Sequence, residues 1–253
     1  MSKKKREFTL IGFPLSHSFS QKYFSEKFAK EQLFNHEYFL SPMEKVEDLQ
    51  KLIAGHPNLA GINVTIPHKE KVLPYLDEVS QEAEIIGAVN TIKIKEGKLI
   101  GYNTDVYGFE KSLLDLLTQK YQKNTVKNAL VLGTGGAAKA VVFILKKLGF
   151  VPILVSRKKG KGDLIYDDLD TSIFDECLLI VNTTPLGMFP YSDSCPNLPF
   201  HRINKKYHLY DLVYNPEKTV FLKLGEKKGA AIKNGLEMLH LQAEKSWEIW
   251  NEK

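Results

Sequence analysis

The chain has 253 residues, 43% hydrophobic and 26% charged, and this composition excludes a disordered chain while leaving room for one large or two smaller domains. The net charge of +5 is local: Lys3, Lys4, Lys5 and Arg6 supply four of the charges, and no basic stripe interleaved with aromatics follows, so no nucleic-acid partner is expected. No stretch approaches the ~20 apolar residues of a membrane span, and the basic start is not followed by a signal-peptide core. A cytoplasmic protein is therefore expected. Cys177 and Cys195 lack metal-ligand spacing. Cys177 is read as core, Cys195 as exposed in a Pro- and Ser-rich loop, and neither a disulfide nor a metal is expected.

In chain order, strand and helix signals alternate. Phe8–Phe13 predicts a strand and Ser18–Phe34 a helix with Tyr23, Phe24, Phe28 and Ala29 on one face. His36–Leu40 reads as a strand, Glu44–Ala54 as a helix, and Leu59–Val64 as a strand closed by Pro67. Ala88–Lys95 and Lys98–Tyr102 flank Glu96-Gly97 and predict a hairpin at the sheet's edge. Such alternation implies α/β layers on a mainly parallel sheet.

Val106–Leu117 is amphipathic, and the polar stretch Thr118–Thr125 is a candidate domain boundary. A second alternation follows. Strands are predicted at Asn128–Leu132, Val151–Val155, Leu178–Asn182, His208–Leu212 and Ala230–Lys233. Helices are predicted at Gly135–Leu148, Glu217–Lys228 and Leu236–Trp250, the last with an apolar stripe of Leu236, Leu239, Ala243, Trp247 and Trp250.

Gly133-Thr134-Gly135-Gly136-Ala137 follows an apolar strand and opens a helix, the context of a dinucleotide fingerprint. The turn and the helix N-terminus offer backbone N–H groups to a pyrophosphate. Ala138 stands where the third glycine belongs, still small enough for close packing. An NAD site needs an acid at the end of the next strand. Here Ser156, Arg157, Lys158 and Lys159 stand there instead. The Arg157 guanidinium suits a 2′-phosphate, so NADP is favoured. The plain alternative is a solvated basic loop, which fits Lys159 better than Arg157.

Eight strings together resemble the shikimate dehydrogenase family, in the family's order and over nearly the whole chain. They are Gly12-x-Pro14-x-x-His17-Ser18-x-Ser20, Asn63-Val-Thr-Ile-Pro-His-Lys69, Gly87-Ala-Val-Asn-Thr91, Asn103-Thr-Asp105, Gly133-x-Gly-Gly-Ala137, Asn182-Thr-Thr-Pro-Leu-Gly187, Asp211-Leu-Val-Tyr214 and Gly235-Leu-x-Met-Leu-x-x-Gln242. The resemblance implies an α/β substrate domain, residues 1–105, with a C-terminal helix, 235–253, packing back on it. It also implies a Rossmann-type NADP domain, 106–234, and a cleft between the two. The implied reaction is NADPH-dependent reduction of 3-dehydroshikimate to shikimate, on the route to aromatic amino acids, by a monomer or homodimer.

Residue by residue, the resemblance implies that Ser18 and Ser20 hold the substrate carboxylate, with Tyr214 near the same end. Thr65, Asn90, Asp105 and Gln242 would bond the ring hydroxyls. Lys69 would stabilise the charge that builds on the carbonyl oxygen and deliver the proton, with Asp105 as its orienting partner. Gly133, Thr134, Gly135, Gly136, Ala137, Ser156, Arg157, Lys158, Thr183, Leu212 and Gly235 would hold the cofactor, Gly235 near the nicotinamide. Plain readings stand beside these. Ser18 is equally an N-cap with Gln21 completing a capping box, and a lysine after a turn is usually a surface lysine.

The sequence departs from the family at Phe13, Val106, Ser156 and Glu237, and the segment between the second and third strands of the cofactor domain is short. A quinate or quinate/shikimate dehydrogenase using NAD is the nearest rival; a non-catalytic NADP- or shikimate-binding module is a rival of another class. Glutamyl-tRNA reductase or methylene-tetrahydrofolate dehydrogenase could share the glycine turn but would leave the serine pair unexplained.

Overall fold

A computed structural model describes residues 5–15, 18–118, 128–169 and 171–252. Most of the expected boundary stretch Thr118–Thr125 lies outside them. The chain divides into two compact units, Met1–Thr104 with Ala243–Lys253, and Asp105–Gln242.

The first unit contains β1 (Arg6–Gly12), α1 (Phe19–Lys30), β2 (His36–Pro42), α2 (Leu49–Gly55), β3 (Leu59–Val64), β4 (Glu78–Val79), α3 (Gln81–Ile86), β5 (Thr91–Lys95) and β6 (Lys98–Tyr102). Its sheet runs β2-β1-β3-β5-β6-β4. The first three strands are parallel, and β5 joins β3 and β6 antiparallel, so the sheet is mixed. Period-two alternation along β1 sends Phe8 and Leu10 to one face and Ile11 to the other. The Phe8 face packs against Phe24 and Phe28 of α1 and against Ala243 and Trp250 near the C-terminus. Trp250 lies over Gly61, where a Cβ would collide with its indole, and donates from Nε1 to the Ile92 carbonyl at 3.0 Å.

The second unit contains α4 (Asp105–Thr118), β7 (Asn128–Leu132), α5 (Gly136–Lys147), β8 (Val151–Ser156), β9 (Leu164–Ile165), α6 (Thr171–Glu176), β10 (Leu179–Asn182), β11 (His208–Asp211), α7 (Val220–Lys227), β12 (Ala231–Lys233) and the start of α8 (Leu236–Asn251). Its sheet, β12-β11-β10-β7-β8-β9, is parallel throughout. The central strands β7 and β10 are continuous apolar runs, as burial on both faces requires.

Several expectations are corrected. The first helix stops at Lys30 rather than Phe34. Gln32 takes the left-handed region (φ 56°), and its N–H bonds Ala29 while that of Leu33 bonds Phe28. This is a Schellman stop built on glutamine, so no glycine announces it. The helix expected over Glu44–Ala54 begins as a 3-10 turn, Val46–Asp48. The hairpin is not at the sheet's edge, because β4 pairs with the outer side of β6. The helix expected from Glu217 starts at Val220, where the Thr219 hydroxyl accepts from the Leu222 N–H. Cys195 is half-buried rather than exposed, and burial pushes its thiol up to about 11. On α8, Leu236 is exposed while the polar Gln242 and Ser246 are buried.

Candidate functional site

In the first unit, Lys69 sits in the loop after β3, half-buried. Four bonds pin that loop. The Lys69 carbonyl accepts from Val89 N at 2.7 Å, Thr65 N donates to Ile11 O at 2.9 Å, and the Ile66 carbonyl accepts from Phe13 N at 3.0 Å. The fully buried His68 ring meets the Met43 carbonyl through Nε2 at 2.6 Å. A carbonyl can only accept, so Nε2 carries the proton and neutral His68 is the Nδ1-lone-pair tautomer. The lysine therefore projects from a fixed backbone directly beside the Ala88-Val89-Asn90 turn.

Asn90 is 3% exposed, and its amide orientation is set by its partners. Oδ1 accepts from the Thr104 N–H at 2.7 Å, and Nδ2 donates to Thr104 Oγ1 at 3.0 Å. Asn103 Nδ2 ties the same turn down through the Ala88 carbonyl. Asn90 thus rests on buried hydrogen bonds to Thr104, in a turn that Asn103 ties down.

At Ser18 the structure bears on the capping reading alone. It occupies the N-cap position of α1 but makes no side-chain cap bond, so the expected capping box with Gln21 does not form. Its Oγ is buried with no hydrogen-bond partner among the described residues. A buried hydroxyl without a partner costs roughly 1–3 kcal/mol, and an anion at the N-terminus of this twelve-residue helix would satisfy it. Ser20 lies one position inside the helix. His17 lies outside the described residues.

In the second unit, β7 ends at Leu132, and the N–H of Gly133 just after it bonds the Val155 carbonyl at 2.8 Å. Its φ of +109° and the Thr183 hydroxyl, 2.7 Å from where a Cβ would stand, both require glycine. Thr183 itself donates to the Leu132 carbonyl at 2.7 Å, so it shapes the turn. Thr134 and Gly135 are exposed, and the space a Cβ would take on Gly135 is open. No side chain caps α5 and no acid lies in its first turn. Ala138, in place of the third glycine, is 1% exposed and packs tightly. An uncapped, acid-free helix start above an open glycine turn fits a dinucleotide pyrophosphate.

Ser156 does not reach outward. Its hydroxyl donates to the Lys158 carbonyl at 2.6 Å and accepts from the Lys158 N–H at 2.9 Å. That local turn leaves Arg157 and Lys158 exposed at the end of β8. The nearby acid, Asp163, is occupied with the Leu154 N–H. The residues present therefore fit a 2′-phosphate better than a bare ribose hydroxyl. Gly235 approaches the Leu212 carbonyl so closely that a Cβ would stand 2.1 Å from it, which joins those two candidates. A Cβ on Gly108 would stand 2.4 Å from the Met238 carbonyl and 3.2 Å from Gln242 N, so α4 and α8 meet there with no room for a side chain. Gln242 Nε2 donates to the Leu239 carbonyl. Asp105 opens α4, where its charge suits the helix dipole, and Tyr214 is half-buried, its phenol raised by burial.

Two features of this unit were not read from the residues. Asp211 is fully buried and accepts from Asn182 Nδ2 at 2.9 Å, Val213 N at 3.0 Å and the Thr219 hydroxyl at 2.6 Å. Burial pushes its carboxyl up to about 6 against those bonds. Asn182 Oδ1 in turn accepts from the Thr184 N–H and hydroxyl. One carboxylate thus organises the loops after β10 and β11, which carry Thr183, Leu212 and Tyr214. The signal was present in the strings beginning Asn182 and Asp211, but not which member of each was structural.

The shikimate dehydrogenase substrate binding domain matches residues 10–92. A shikimate dehydrogenase (NADP(+)) from Methanococcus maripaludis is 41% identical over 259 residues, covering 95% of this chain and 90% of its own. A crystal structure of a shikimate dehydrogenase in complex with NADP+ superposes with a TM-score of 0.86 at 35% identity, covering 98% of this chain and 90% of that one. The Thermus thermophilus shikimate 5-dehydrogenase in complex with NADP(H) and shikimate gives 0.81 at 32% identity, covering 97% and 93%. Among the described residues no helix is long and apolar enough to cross a membrane. With 41% identity to a relative over 95% of its length, the chain belongs to the shikimate dehydrogenase family.

Proposed function

We propose that this protein catalyses the reversible, NADPH-dependent reduction of 3-dehydroshikimate to shikimate. The observation that carries the reading is the unpartnered, buried Ser18 hydroxyl at the start of α1, in the same unit as the pinned Lys69 loop. A carboxylate-bearing substrate supplies what Ser18 lacks. The buried Asn90 amide, held in one orientation, suits the ring hydroxyls of a polyol.

NADPH, when bound, supplies the hydride to the carbonyl carbon. Lys69 holds its ammonium at the carbonyl oxygen, stabilises the negative charge that builds there, and gives up one proton to complete the alcohol. Asp105 is the carboxylate partner that orients it. In the reverse direction neutral Lys69 accepts the hydroxyl proton. Ser18 and Ser20 fix the carboxylate end, with Tyr214, while Thr65, Asn90 and Gln242 take the ring hydroxyls. Gly133, Thr134, Gly135, Gly136 and Ala137 receive the pyrophosphate. Arg157 and Lys158 receive the 2′-phosphate, with Ser156 shaping their turn. Thr183, Leu212 and Gly235 line the nicotinamide end.

The test is the absorbance of NADPH with purified protein and 3-dehydroshikimate. Turnover that requires both reactants is the expected result. Calorimetric binding of NADPH and shikimate without turnover would instead establish a non-catalytic binding module.

A further inference from the structure

Two helices of the first unit, α1 and the end of α8, are fastened to its sheet differently. α8 is anchored by directional bonds. Trp250 Nε1 donates to the Ile92 carbonyl at 3.0 Å, and the buried Ser246 hydroxyl meets Thr91 Oγ1 at 2.8 Å and accepts from Asn63 Nδ2 at 3.2 Å. α1 meets the sheet through rings: Phe28 packs on Phe8 at 5.8 Å and Phe24 stacks on Tyr38 at 4.7 Å. Apolar contacts are non-directional, so they tolerate a small slide of the helix. One carboxylate adds directional bonds between the two helices. Glu244 on α8 accepts from the Tyr23 hydroxyl and, through its two oxygens, from Lys27 Nζ at 3.0 and 2.9 Å. Tyr23 and Lys27 are four residues apart and share one face of α1. Phe19, a further four residues back, stacks on Tyr23 at 5.2 Å. The stripe Phe19-Tyr23-Lys27 thus runs from the Glu244 contact to the first turn of α1, where Ser18 holds the N-cap position and Ser20 enters the helix.

We infer that Glu244 is a positioning residue for the carboxylate end of the substrate: through Tyr23 and Lys27 it fixes α1, and with it Ser18 and Ser20, against α8. The inference rests on the proposed function, which makes Ser18 and Ser20 the carboxylate ligands. The physical basis is the difference between holding a helix and placing it. Ser20 and Tyr23 are three residues apart, hence neighbours on the helix surface, so a slide at Tyr23 is passed to Ser20. A hydrogen bond weakens steeply when its donor is turned or displaced, so a small slide weakens the grip on a carboxylate before it unfolds anything. Glu244 adds little to stability. Its side chain is 42% exposed, and Lys27 also pairs with Glu31 at 2.8 Å. Ion pairs of this exposure are worth little. Glu244 touches no substrate in this assignment. Its signature is weaker substrate binding with little change in melting, and a residue with a purely structural role would give the reverse.

The test is steady-state oxidation of shikimate by NADP⁺ with the full chain, together with thermal melting. Glu244→Ala is expected to raise the KM for shikimate about 5- to 10-fold, on the order of one hydrogen bond. Lys69 sits on a loop held by its own bonds, so kcat should stay within about 2-fold, as for a loss of binding alone. The KM for NADP⁺ should not change. Glu244→Gln keeps an acceptor for Tyr23 and removes the charge that Lys27 meets. It should recover part of the loss, leaving the KM for shikimate about 2- to 3-fold above wild type. Should Glu244→Ala not fold, Glu244→Gln, close to it in shape, carries the test through the same rise in the KM for shikimate alone. An unchanged shikimate KM in the folded variants, an equal rise in the KM for shikimate and for NADP⁺, or a glutamine variant no better than alanine would overturn the inference. A wild-type protein that does not turn over shikimate would instead overturn the proposed function.

Discussion

The two units organise the polar groups around their candidate sites differently. Around Asn90 the first unit buries neutral hydroxyl and amide groups: Tyr38, Asn63, Thr91, Thr104 and Ser246 satisfy one another as donors and acceptors. The second unit buries a carboxylate, Asp211, and surrounds it with three donors. Its cations, Arg157 and Lys158, stay exposed, and its glycine turn offers backbone N–H groups. The difference follows from what each unit is proposed to hold. A polyol is recognised by oriented neutral groups, whose directionality specifies it, while a polyanion needs dipoles and accessible positive charge. In the second unit the buried charge serves the loops, and the cations proposed to meet the phosphate remain solvated.

That comparison can be broken at its strongest point first. Asp211→Ala leaves three buried donors without an acceptor and should destabilise the protein by at least about 3 kcal/mol in chemical denaturation. A loss under 1 kcal/mol would show that the carboxylate is not the organiser of its loops. Next in size, Lys69→Ala should lower kcat by about 10²-fold or more, a typical general acid–base contribution, with shikimate affinity nearly unchanged. Near-normal turnover would remove Lys69 from the mechanism.

The third effect is a pH dependence confined to the second unit. The Asp211 carboxyl is raised from 3.8 to about 6, so the fold favours its protonated form. Its contribution to stability is complete below about pH 4 and is lost as pH rises through about 6. Measured against Asp211→Asn, wild-type stability should fall by on the order of 2 kcal/mol between pH 4 and 7. A flat difference would mean the carboxylate's donors fully offset its burial. Smallest of the four, Arg157→Ala should raise the KM for NADPH about 10-fold, as for one charge-assisted phosphate contact, and leave that for NADH unchanged. Equal effects on both cofactors would remove the 2′-phosphate role.

How much of this was legible in the sequence differs by feature. The strands were plain, because buried parallel strands carry unbroken apolar runs, as in residues 129–132. The glycine turn and the lysine loop were legible as strings. The end of α1 was not, since its left-handed stop uses Gln32, a residue that carries no such signal. The inner face of α8 was misread for a related reason: apolar periodicity counts Leu236 and Trp247 but passes over Gln242 and Ser246, which are buried because they are hydrogen-bonded. The same blindness hid Tyr38, whose β2 position reads only as an aromatic in a strand. Ser18 shows the converse. Its sequence context described a capping box as well as a ligand, and only the buried, unpartnered oxygen separates the two.

The measurement that tests the central claim most directly is a four-way assay of the purified protein, pairing shikimate or quinate with NADP⁺ or NAD⁺ and following the reduced nicotinamide. The proposed roles of Asn90 in the first unit and of Arg157 and Lys158 in the second predict the highest kcat/KM for shikimate with NADP⁺. Fastest turnover of quinate with NAD⁺, or no turnover in any of the four pairs, would contradict the account.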